Sequence, residues 1–126
     1  MSRALEGQLA VVTGGGRGIG AAIADALAEA GARLVLLGRD RVELANRADV
    51  MNGARGVEAK FVVCDVADEA SVVKAFRQIR DTTGDPRILV NNAGQSAGVA
   101  FTETTRETWD RMIAVNLTGT FLCTQQ

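Results

Sequence analysis

Five glycines fall within eight residues at Thr13-Gly14-Gly15-Gly16-Arg17-Gly18-Ile19-Gly20, directly after the apolar run from Leu9 to Thr13. The apolar run, short and ending at glycines, predicts a strand. After the cluster, Ile19, Ile23, Leu27 and Ala30 recur at steps of three and four residues, which is a helical period. Ala21, Ala22, Ala24, Ala26 and Ala28 stand between them and are small enough to let that helix lie close to a sheet. Strand, glycine turn and helix N-terminus in this order make a natural anion site. Glycine lets the backbone turn tightly and lets a pyrophosphate approach, while free amides and the helix dipole hold the charge. The spacing predicts a dinucleotide site built on Thr13, Gly14, Gly16, Arg17, Gly18, Ile19 and Gly20. No Lys-Ser or Lys-Thr follows the glycines, which argues against a Walker-type ATP loop. A bare turn or a methyl-donor cofactor fold stays compatible with the physics at this point.

The remaining chain repeats the alternation. Arg33 to Leu37 reads as a second strand, after a stop at Gly31. Asp40 and Glu43 have capping-box spacing and open a helix through about Val50. Glu58 to Cys64 reads as a third strand, and Phe61 to Cys64 is continuously apolar, as expected of a strand covered on both faces. Asp68 caps a helix with the stripe Val72, Val73, Phe76 and Ile79. Gly84-Asp85-Pro86 turns the chain into a fourth strand, Arg87 to Val90, which ends at Asn91. Thr104 and Glu107 repeat the capping-box spacing before Trp109, Met112 and Ile113. The tail from Leu117 through Cys123 begins a further helix. Crossovers of this length demand parallel strands. The expected fold class is α/β: a doubly wound Rossmann sheet in a three-layer αβα sandwich, strand order 3-2-1-4, as one partial domain over residues 1–126 truncated after the fourth strand and its following helices.

Composition narrows the function classes. Charge is nearly balanced, at -1, with no basic stripe for a nucleic-acid backbone. No apolar run approaches membrane-spanning length, and the first residues lack a signal peptide's apolar stretch. Cys64 and Cys123, the two cysteines, read as free thiols in a reducing compartment, so the cytoplasm is the expected location. Neither His nor Tyr occurs anywhere, which removes the commonest general base and the commonest metal ligand; no metal site is expected.

Cofactor choice is written at the strand ends. A site that prefers a bare ribose places an acid at the end of the second strand. Here Gly38 stands in that place and Arg39 follows it. Arg39 and Arg17 can both reach a 2′-phosphate through charge-assisted hydrogen bonds, so NADP(H) is favoured and NAD(H) is the alternative. The other reading makes them ordinary solvent-facing arginines. Asp40 is assigned to the helix cap. Asp65 and Val66, after the third strand, sit where adenine would lie. Asp65 either accepts from the adenine amino group or caps its own turn.

Taken together these residues resemble the short-chain dehydrogenase/reductase family from Leu5 to the last residue. The family's glycine motif matches Thr13 to Gly20, its adenine-contacting acid Asp65, its Asn-Asn-Ala-Gly sequence Asn91, Asn92, Ala93 and Gly94, and its helix asparagine, in a Val-Asn-Leu context, Asn116. The resemblance implies hydride transfer between NADP(H) and a small-molecule carbonyl or secondary alcohol, with 3-oxoacyl thioesters as one substrate class. It implies that Asn92, Ala93 and Gly94 line the ribose and nicotinamide side, and that Asn116 holds a relay water through its carbonyl as the one catalytic residue present. The family's Ser, Tyr and Lys would lie beyond Gln126, so the segment alone is expected to be inactive. It implies a homodimer or homotetramer paired through the helices near Asn116, where Phe121 and Leu122 suit an interface or a core. The competing expectation is a standalone nucleotide-binding or partner-binding fragment without turnover.

Overall fold

The computed structural model describes residues 3–126. Four strands, β1 (Leu9–Thr13), β2 (Arg33–Gly38), β3 (Ala59–Val63) and β4 (Ile88–Val90), form one sheet in the order β3-β2-β1-β4. All three pairings are parallel, with Val11 opposite both Val35 and Leu89. Helices α1 (Gly18–Glu29), α2 (Arg41–Arg55) and α3 (Glu69–Thr82) make the crossovers. Beyond β4, α4 (Arg106–Ile113) runs through a π-helical turn (Ala114–Thr118) into α5 (Gly119–Gln125).

Strand alternation divides the core. Leu9, Val11, Val35 and Leu37 face one side and pack on Val72, Phe76 and Ile79 of α3 and Leu122 and Cys123 of α5. Ala10, Val12, Leu34 and Leu36 face the other and pack on Ala24 and Ala28 of α1 and Leu44, Ala48 and Met51 of α2. This is the expected three-layer doubly wound sheet. No helix among the described residues is long and apolar enough to cross a membrane.

As expected from its small residues, α1 lies close to the sheet: Gly20, Ala21, Ala24 and Ala28 are buried, and the larger Ile19 is 74% exposed. Three local expectations need correction. Helix α2 runs past Val50 to Arg55 and stops at Gly56, whose φ of 64° gives the left-handed cap that glycine accepts without strain. The third strand is an edge, so Val63 is 39% exposed where a strand covered on both faces was expected. The cap of α4 is Thr105, whose hydroxyl accepts from the Thr108 amide at 3.1 Å, whereas Thr104 turns its hydroxyl back to the Ala100 carbonyl.

Candidate cofactor groove and the family it belongs to

The carboxyl ends of β1, β2, β3 and β4 open into a groove of about 400 Å³. Such a crevice, between strands whose crossovers lead to opposite faces, is where doubly wound sheets bind ligands. The groove brings together Gly14, Gly16, Arg17, Gly18, Ile19, Gly38, Arg39, Asp65, Val66, Asn92, Ala93 and Gly94. Thr13 and Gly20 are buried beneath this lining, and Asn116, exposed, stands outside it beside Gln95.

The glycine loop is shaped by close approach. Gly14 has φ 64° and Gly18 φ 56°, both in the left-handed region. A Cβ on Gly20 would overlap the Gly14 carbonyl oxygen and come within 2.5 Å of Asn92 Nδ2. Helix α1 starts at Gly18 with Arg17 as its N-cap, and no side chain caps it. Its first turn carries no acid, and its residues Gly18 and Ile19 are exposed. The first amides of a helix have no intrahelical acceptor, so this end offers donors and a positive dipole to the groove. The residues present therefore fit a diphosphate.

Thr13 fastens the loop to β4. Its buried hydroxyl accepts from the Asn92 and Ala93 amides, each at 3.0 Å, and donates to the Val90 carbonyl. Asn92 Nδ2 returns a bond to the Gly14 carbonyl at 3.1 Å. Together these bonds place the two strand ends side by side as one floor. Asn91 points elsewhere, donating to the Thr124 hydroxyl on α5.

At the end of β2, a Cβ on Gly38 would press on Leu44 at 3.3 Å, so this glycine serves packing as well as charge. Arg39 is exposed and makes no ion pair among the described residues. Asp40 caps α2 by accepting from the Glu43 amide at 3.1 Å.

Asp65 divides its carboxylate. Oδ1 accepts from the Ala67 amide at 3.0 Å, capping its own turn, while Oδ2 lies 3.4 Å from Arg111 of α4. The Val66 side chain is buried under α5, where a Cβ on Gly119 would meet its Cγ2 at 2.7 Å. Glu43, Cys64, Gln95, Arg111 and Val115 also line the groove. Sequence reading did not single these out as lining residues. Glu43 was read only as a cap partner, and no local signal links Arg111 to Asp65 across 46 positions.

Asn116 sits in the π-helical turn, which widens the helix by one residue; such turns often mark functional positions. Its Oδ1 accepts from the Gln95 amide at 3.1 Å, and its Nδ2 donates to the carbonyls of Gln95 and Met112. The side chain thus clamps the loop after Gly94. Its backbone carbonyl accepts from the Thr120 hydroxyl at 3.3 Å. Gly94 allows the clamp, since a Cβ there would stand 2.9 Å from Asn116 Oδ1.

Both cysteines are buried. Burial pushes the Cys64 thiol up, and it pushes Cys123 up to about 11, with the neighbouring Cys64 adding to the effect. Neither is a thiolate nucleophile at neutral pH.

The model of the short chain dehydrogenase family matches residues 8–126. The chain belongs to the short-chain dehydrogenase family. It is 43% identical over 121 residues to an uncharacterised oxidoreductase of Thermotoga maritima, covering 96% of this chain and 47% of that protein. It is 39% identical to the 3-oxoacyl-[acyl-carrier-protein] reductase FabG of Aquifex aeolicus, over 96% of this chain and 49% of the relative. Among solved structures, L-sorbose reductase from Gluconobacter frateurii, complexed with NADPH and L-sorbose, superimposes with a TM-score of 0.92 at 31% identity, over 99% of this chain and 48% of that one. The chain thus spans about half the length of these short-chain dehydrogenase relatives.

Proposed function

We propose that this chain is the cofactor-binding half of an NADP(H)-dependent oxidoreductase that interconverts a carbonyl and a secondary alcohol. The observation that carries this reading is the uncapped start of α1 facing the groove beside Gly14, Arg17 and Gly18. Arg39 and Arg17 border the same groove, with Gly38 in place of an acid, which favours a 2′-phosphate over a bare ribose. NADPH bound in the related sorbose reductase supports the same cofactor here.

Bound in this groove, the nicotinamide supplies or accepts the hydride. The chain's own residues bind and orient. The start of α1 holds the diphosphate, and Asp65 and Val66 border the adenine end. Asn92, Ala93 and Gly94 line the nicotinamide side. The Asn116 carbonyl, in the π-helical turn, is the group we assign to a relay water, in exchange for the Thr120 hydroxyl that it now accepts from. Positioning supplies a large share of any rate, but proton transfer needs a titratable group near the reacting oxygen. The segment contains no Tyr and no His. The 126 residues alone are therefore expected to bind cofactor without turnover, while the intact protein acts on ketones or secondary alcohols in the cytoplasm, with 3-oxoacyl thioesters as one class to test.

The test is to mix the intact protein with NADPH and a panel of sugar, acyl-thioester and small aliphatic ketones and follow the nicotinamide absorbance. Ketone-dependent oxidation of NADPH is expected. NADPH binding with no turnover on any ketone would favour the standalone binding module instead. Replacing Arg39 by Asp should shift the NADPH-to-NADH affinity ratio toward NADH by roughly tenfold or more, the value of a charge-assisted contact. An unchanged ratio would remove Arg39 from phosphate recognition.

A further inference from the structure

The two arginines of the proposed 2′-phosphate site are in different states. Arg39 has no ion-pair partner among the described residues, whereas Arg17 Nε lies 3.9 Å from Glu43 Oε2. Glu43 occupies the third position of α2, and its amide is taken by Asp40. Its carboxylate makes no return bond to the cap. Instead it lies against the glycine loop: a Cβ on Gly16 would stand 2.7 Å from Oε1 and 3.1 Å from Cγ. The side chain fits there because Gly16 has none. A carboxylate therefore lines the groove beside the residues expected to meet phosphate.

We infer that Glu43 is a specificity-determining residue for the cofactor, one that restrains the preference for a 2′-phosphate by holding Arg17. This rests on the NADP(H) reading of the groove. For Arg17 to meet a 2′-phosphate, its contact with Glu43 has to be exchanged for one with the ligand. A cofactor with a free 2′-hydroxyl requires no such exchange. The Arg17 side chain is 85% exposed, so solvent and salt weaken the pair and the effect is small, roughly two- to fivefold in affinity. Glu43 thus narrows the gap between the two cofactors.

The experiment is to measure Kd for NADPH and NADH on the intact protein at low ionic strength, for the wild type, Glu43→Gln, Glu43→Lys, Arg17→Gln and the Arg17→Gln/Glu43→Gln pair. Glu43→Gln should tighten NADPH by about two- to fivefold and leave NADH unchanged, and raised salt should shrink the gain. Glu43→Lys should move the ratio further in the same direction. The gain should vanish in the Arg17→Gln background. Equal changes for both cofactors, no change at all, or a full gain without Arg17 would overturn the inference while leaving the groove's assignment intact. Failure of the wild type to bind either cofactor would overturn the cofactor reading beneath it.

Discussion

Thr13 shows how much of the groove depends on single buried atoms. Its hydroxyl is the acceptor for both the Asn92 and the Ala93 amides. Thr13→Val keeps the shape and strands two donors, each worth roughly 1–3 kcal/mol if left unpaired. Urea unfolding should show a loss of about 2 kcal/mol or more, with Thr13→Ser much milder. Equal midpoints for Val and wild type would mean the amides find other partners. Gly20 acts through space: the Gly14 carbonyl already occupies the place of its missing Cβ. Gly20→Ala should therefore weaken NADPH binding by at least roughly tenfold, about 1.4 kcal/mol, in a calorimetric titration. The buried thiols give a third outcome. Native Cys64 and Cys123 should resist iodoacetamide at pH 7 and react once the chain is unfolded. Because Cys123 ionises near 11 in the fold and an unfolded thiol near about 8.5, stability is full below the lower value and falls as pH rises between them. At this scale the sequence named most of the groove, since glycines and strand-end residues carry local signals. It did not show that Thr13 turns inward or that Arg111 reaches Asp65, since both contacts join parts of the chain far apart in sequence, whereas the Asp65 bond to the Ala67 amide is a local turn cap that the sequence did offer.

Elements were legible where period and caps agree. The strand pattern and the caps at Asp40 and Asp68 were readable because alternation and side-chain caps are local. The close approach of α1 was readable from its small residues, but not which of them are buried: Ala21, Ala24 and Ala28 are, while Ala22 and Ala26 are exposed. The docking of α1 to α2 is also electrostatic. Arg55 reaches Asp25 at 2.7 Å and Glu29 at 2.8 Å, and the hydrogen bond from Arg55 holds the Asp25 carboxyl below the usual carboxylate range. Arg33 does the same for Glu58 beside β3. Their stabilisation is present above the ordinary carboxylate pKa and is lost as pH falls through the depressed value. Asp25→Asn should flatten part of the acid limb of a stability-against-pH curve and leave the limb above neutrality unchanged. These groups are more than a third exposed, so the effect is modest. An unchanged acid limb would show that the pair contributes nothing to folding.

At the scale of the whole molecule, the chain presents an open sheet edge at β4 and a stripe on the α4–α5 helix. Trp109, Ile113, Leu117 and Phe121 recur every four residues and are between 37% and 64% exposed, whereas Leu122 is buried in the core. We propose that this stripe pairs with a second copy, as the family resemblance implies. Phe121→Glu should then lower the sedimentation coefficient of the intact protein, and an unchanged coefficient would count against the pairing. The assignment of the groove to a dinucleotide turns on where the diphosphate sits. The most direct measurement is a crystal structure of the intact protein with NADPH. Diphosphate oxygens should lie within hydrogen-bonding distance, about 2.7–3.2 Å, of the backbone amides at the start of α1, with Gly20 packed beneath. A diphosphate bound elsewhere, or a loop that must be rebuilt to admit it, would contradict the account.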